Sequence, residues 1–194
     1  MRTLVLLPAV FACLGVGLSH PQAAMRDAAW ELGLFGGSYE LTEDDFDADS
    51  NSNVFGFRVG FQITEEHEIE FVYDSVDFDF AGFRLEEIES WSLRYLYNWS
   101  FGPRQTMVPY IGAGLGEVED TVFDVPVDPF DPFSPLVDFS DDDTQVSIFG
   151  GLRMFAGRTF ALRGEAAYKA FSTFDVDQSV IELTVGLSWV VGGR

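Results

Sequence analysis

The chain is poor in bases, histidine and cysteine, and after its first segment it lacks any long apolar run. Its 194 residues hold one lysine, ten arginines and two histidines against 32 acids, for a net charge of −21. Binding a phosphate backbone needs a clustered Lys/Arg patch, and these arginines are spread along the chain, so nucleic acid is excluded as a partner. A single cysteine, Cys13, excludes a disulfide framework and a cysteine-rich zinc site. Beyond residue 24 no stretch approaches the ~18 apolar residues of a membrane-spanning helix, and neither helical periodicity nor βαβ spacing appears. Aromatics and glycine, by contrast, are plentiful: the chain is 15% aromatic, with 20 Phe and 19 Gly, and 47% hydrophobic, too apolar for a disordered tail. Many aromatics beside many glycines point to an all-β protein.

Residues 1–24 read as an export signal. Arg2 is a short basic start, Leu4 to Leu18 is uncharged and mostly apolar, and small residues follow. Gly17 and Ser19 fit a cut after Ser19, and Ala24 is a second candidate. The run is shorter than the ~20 residues of a spanning helix, which argues against an anchor. Cleavage after Ala24 removes Arg2 and Cys13 and no acid, leaving 32 acids against 10 bases in a domain of residues 25–194.

The remainder alternates with period two, the repeat of a strand whose side chains point to opposite faces. Trp91, Leu93, Tyr95, Tyr97 and Trp99 share one face, with Ser92, Arg94, Leu96 and Asn98 on the other. The pattern predicts eight strands, at about 29–40, 54–63, 68–78, 87–99, 107–119, 144–155, 159–171 and 178–191. These exceed the usual five or six residues of a soluble strand and suit a tilted strand crossing a bilayer, which takes about 9 to 11. Short connections at 64–67, 100–106 and 156–158 alternate with mostly longer, more acidic ones at 41–53, 79–86, 122–143 and 172–177. That is the layout of an antiparallel up-and-down transmembrane barrel.

One face carries the apolar side chains. The other carries Glu31, Arg58, Glu70, Arg94, Arg153, Arg163, Glu165 and Glu182, interleaved with Gly33, Gly60, Gly112, Gly114, Gly151 and Gly186. Four Arg against four Glu balance to zero. A soluble barrel would turn this face to water, with no need for balance. In a membrane barrel of eight strands it lines an interior just wide enough for side chains, where charges pair and glycines make room for long arginines. Trp30, Phe61, Trp99, Tyr110, Phe160 and Trp189 are expected at the short-turn rim, and Phe55, Trp91 and Tyr168 towards the other, as aromatic belts.

With its segments WELGLFGGSYE at 30–40, PYIGAGLGE at 109–117 and the amphipathic IELTVGLSWV at 181–190, the chain resembles the small eight-stranded outer-membrane barrels of the OmpA transmembrane domain and OmpX type. The resemblance implies a Gram-negative outer membrane, insertion by the barrel-assembly machinery, periplasmic termini, and contact with outer-membrane lipid and lipopolysaccharide. A monomer is expected. In such barrels a closing aromatic usually ends the chain, whereas here Trp189 is followed by five residues. No wall-binding domain is expected after the barrel.

No catalytic group is expected. His20 lies in or beside the leader, and His67 sits in a short turn between Glu66 and Glu68, far from the outer loops. No base is positioned for a serine nucleophile. The acids concentrate in 41–53 and 117–143, which carry no base. Asp45, Asp47, Asp49, Asp141, Asp142 and Asp143 are the candidates for weak Ca²⁺ or Mg²⁺ binding. Asp45-x-Asp47-x-Asp49 fails as an EF-hand, because Ser50 replaces the glycine and Gly56 stands where the bidentate Glu belongs. No other cofactor is expected. The repeated Asp128-Pro129-Phe130 and Asp131-Pro132-Phe133 form either a recognition surface or a stiff loop folded onto the barrel mouth. Three readings stay open: a structural or surface-interaction barrel plugged by Arg/Glu pairs, a narrow channel or small-ligand carrier in the same fold, and a secreted soluble barrel resembling lipocalins.

Overall fold

The structure is a computed structural model that describes residues 26–41, 51–80, 83–99, 106–126, 136–173 and 176–193. The leader at 1–24, Asp45, Asp47 and Asp49, and the two Asp-Pro-Phe triplets lie outside the described residues. Eight strands follow in order: β1 Ala29–Leu41, β2 Asn51–Gln62, β3 His67–Phe80, β4 Phe83–Asn98, β5 Met107–Pro126, β6 Leu136–Ala156, β7 Phe160–Thr173 and β8 Val176–Gly192. Each pairs antiparallel with its neighbour in sequence, and β1 closes on β8 from Ala29↔Gly192 to Leu41↔Val180. Closure leaves no sheet edge within the barrel wall, so every backbone donor and acceptor there has a neighbour strand to pair with.

The alternation resolves into an apolar outside and a polar inside. Leu34, Phe55, Leu115 and Leu187 point outward and are 63–70% exposed, while the intervening Arg58, Arg94, Arg163 and Glu182 are no more than 2% exposed. A water-soluble barrel has the reverse arrangement, so the lipocalin-like reading is set aside. Two interior glycines stand where arginine stems lie: a Cβ on Gly33 would come within 2.8 Å of Arg58 Cγ, and one on Gly114 within 2.8 Å of Arg94 Cγ. In the β6–β7 turn Gly157 has φ 76°, a conformation that favours glycine.

The strands run further outward than their sequence suggests. The acid-rich stretches read as loops continue the ladders: β5 and β6 stay paired to Pro126↔Leu136, β3 and β4 to Phe80↔Phe83, and β7 and β8 to Thr173↔Val176. Asp and Glu are poor strand formers, but a strand with paired neighbours is held by its ladder and overrides that preference. Asp141, Asp142 and Asp143 therefore sit on β6, opposite Asp120, Glu119 and Val118. The rim is uneven, since β6 stops pairing with β7 at Val146↔Ala170 while its ladder with β5 continues beyond.

Rings gather at the short-turn rim. Trp30 packs on Phe61 at 4.9 Å between centroids, Phe160 stacks on Trp189 at 5.6 Å, and Trp99 meets Tyr97 edge-on at 5.6 Å. Tyr110 is a correction to the expected belt. It points into the barrel and is 2% exposed, because it shares strand phase with Val108, Gly112 and Gly114, whereas Ile111 and Leu115 face outward.

Candidate functional site

The interior charges form three tiers, built by the side chains that the strands turn inward. Nearest the short turns, Arg153 on β6 pairs through Nη1 with Glu68 at 2.7 Å and through Nε with Glu31 at 3.4 Å. Arg153 Nη1 also donates to Asn98 Oδ1 at 3.1 Å. In the middle tier, Arg163 on β7 donates through both terminal nitrogens to Glu70, through Nη2 to Glu165 at 2.6 Å, and through Nε to the Tyr110 hydroxyl at 2.7 Å. That hydroxyl donates in turn to Glu165 at 2.8 Å. Arg94 takes Glu165 Oε1 at 2.7 Å, and Arg58 stands 3.5 Å from Glu165 Oε2. In the outer tier, Lys169 Nζ meets both oxygens of Asp74 at 2.9 Å and Glu182 at 2.7 Å, and Ser90 donates to Asp74 at 2.8 Å.

Aromatic faces support the guanidinium groups. Arg58 lies 4.3 Å from the Phe35 ring centroid, Arg94 4.7 Å from Phe149, and Arg163 4.5 Å from Tyr110. A buried cation held over a ring gains about 2 kcal/mol, which offsets part of its lost hydration. Every strand contributes at least one member to this assembly, β5 through Tyr110.

All eight charged residues assigned to the inner face from the sequence are buried there. Their expected neutrality needs correction, because Glu68, Asp74, Asp120 and Lys169 are buried with them, and among the described residues five buried bases face seven buried acids. The signal was present in the phase: Glu68 and Asp74 keep step with Glu70, and Lys169 with Arg163 and Glu165. Asp142 points away from the barrel while Asp141 and Asp143 turn the other way, so the three acids do not converge. Among the described residues, no group of three or more His, Cys, Asp or Glu side chains is placed to hold a metal ion. His67 lies at the short-turn rim with Nδ1 2.6 Å from the Tyr95 hydroxyl.

A family model described as outer membrane protein beta-barrel domain matches residues 9–188. None of the curated proteins matches. Among solved structures, Neisserial surface protein A aligns with a TM-score of 0.67 at 13% identity, over 84% of this chain and 99% of that one. Ail, the attachment invasion locus protein of Yersinia pestis, aligns with a TM-score of 0.58 at 13% identity, over 85% and 99%. The N-terminal barrel domain of Pseudomonas aeruginosa OprF aligns with a TM-score of 0.55 at 16% identity, over 86% and 99%. Ail has also been solved with the heparin analogue sucrose octasulfate.

Proposed function

The chain belongs to the outer membrane protein β-barrel domain family and is a protein of the bacterial outer membrane; on that premise we propose that it is a closed-lumen barrel with a structural and surface-interaction role. The observation that carries this reading is the three-tiered ion-pair assembly, to which all eight strands contribute and which leaves the interior full of side chains. A barrel filled in this way stabilises the membrane and displays its outer ends without passing solutes.

The leader at 1–24 directs export, and either cleavage site leaves Arg26 on the mature chain. Arg26 matters there, because it donates to the Gly192 and Arg158 carbonyls at the barrel floor. The assembly machinery inserts the chain as a monomer among outer-membrane lipid and lipopolysaccharide. No enzymatic role is proposed: His67 contacts a tyrosine rather than a serine, at the rim opposite the outer loops.

The outer ends of the strands carry Glu87, Glu89, Glu117, Glu119 and Asp142, with Arg84 as the only base on those ends of the described strands. A polyanion such as the heparin analogue solved with Ail therefore does not suit this surface, and partners of opposite charge do. Any Ca²⁺ or Mg²⁺ held there is held weakly.

Planar-bilayer recording tests the central claim. The refolded protein should add no sustained conductance steps to the bare membrane. Large, stable steps would overturn the closed lumen and favour the narrow-channel reading.

A further inference from the structure

We infer that the seal of this lumen is an apolar collar on the outer side of the ion pairs, and that the ion-pair network behind it is a chamber that water enters along polar side chains from the short-turn end. The inference rests on the closed-barrel reading and goes further, because it moves the barrier away from the arginines and glutamates.

Two positions outward from the outer tier, the inward-facing residues change character. Asp74 gives way to Val76, Lys169 to Phe171, Glu182 to Val180 and Ser90 to Ile88. Together with Tyr39, Val118 and their neighbours, these form one contiguous buried cluster drawn from seven of the eight strands, all except β6. A hydrated ion entering there must shed its water against apolar side chains on seven strands, with polar groups offered mainly by β6, where Gln145 is buried. The ion-pair tiers make a poorer barrier. Arg163 already faces Glu31, Glu70 and Glu165, so partners can be exchanged as an ion or a water moves past.

The short-turn end is built differently. Its apolar cluster of Ala29, Val108, Phe155, Ala161 and Val190 comes from five strands only. The remaining three, β2 to β4, present Gln62, Glu68 and Asn98 instead, a buried polar seam between the network and Arg26 at the rim. Within the network, Glu68 Oε1 and Arg94 Nη2 are buried with no hydrogen-bond partner. Buried polar atoms of this kind are satisfied by water, which the seam admits.

The test compares planar-bilayer currents of the native protein, a collar variant Val76→Thr/Val118→Thr and a network variant Glu165→Gln. Each is first checked for folding by the heat-dependent gel shift. Threonine matches valine in size and places a hydroxyl in the collar. The collar variant should carry an ionic current about ten-fold or more above native, while Glu165→Gln stays at the native level. A folded collar variant at the native level, or opening by Glu165→Gln, overturns the inference and leaves the closed-barrel reading intact. Native protein that already conducts in large steps defeats the closed-barrel reading itself. A second measurement does not depend on the collar variant folding. In a Cys13→Ser background, a cysteine introduced as Ser188→Cys should react with the small reagent methanethiosulfonate ethylammonium while the barrel stays folded. Absence of labelling would show a dry interior and overturn the chamber.

Discussion

Arg163 is gripped from several sides at once, by the two oxygens of Glu70, by Glu165 and by the Tyr110 hydroxyl, with the Tyr110 ring beneath its guanidinium. Its ionic hydrogen bonds are buried, and losing the cation strips Glu70 of its ion-pair partner and leaves Glu165 with Arg94 and Arg58. Arg163→Ala should therefore destabilise the folded barrel by about 3–5 kcal/mol, read from urea unfolding in lipid vesicles. Tyr110→Phe keeps the ring and removes one hydroxyl that both accepts from Arg163 and donates to Glu165. It should cost about 1.5–3 kcal/mol in the same assay, since both bonds involve a charged partner. A loss below 0.5 kcal/mol, on the order of a neutral surface change, would mean that the hydroxyl is dispensable. Gly33 and Gly114 complete the picture at this scale: the arginine stems of Arg58 and Arg94 pass where a side chain on either glycine would stand.

At the scale of the strand, direction is the quantity to challenge. Val185 on β8 lies midway between the outward Trp189 and Ile181 and is itself exposed. Val185→Arg should cost about 2–4 kcal/mol, because an arginine there meets acyl chains rather than water. An unchanged unfolding midpoint would contradict the orientation of the whole wall. That orientation, and all eight strands, were legible in the alternation of residues such as Phe57, Arg58 and Val59, because a two-residue period leaves only a choice of which face is which. Tyr110 was misread through its residue type, since a rim aromatic was expected, although its phase with Gly112 and Gly114 already placed it inside. The outer extensions of β5 and β6 were not legible, because acids such as Glu119 and Asp142 disfavour strands on their own. What holds them is the pairing Glu119↔Asp142, a long-range fact that no local window contains. Lys169 and Asp74 were missed although they share a face with Glu165 and Glu70, because each lies four residues further outward than the last charge assigned to the interior on its strand.

For the whole molecule, all four tryptophans face outward, with Trp30, Trp99 and Trp189 at one rim and Trp91 towards the other. Lipids brominated close to the headgroup should quench their fluorescence more strongly than lipids brominated at the chain ends, and equal quenching would contradict the two belts. The rise of β5 and β6 above β7 gives the barrel a high side and a low side within the membrane plane. Its only lysine also has a practical consequence. Lys169 is clasped by Asp74 and Glu182 at the centre of the barrel, and residues 42–50 and 127–135 contain neither lysine nor arginine. Cells bearing this protein could be biotinylated through amines or shaved with trypsin, and most of its outward-facing surface would escape both reagents. A protease that cuts at aspartate or glutamate is the tool that would reveal it.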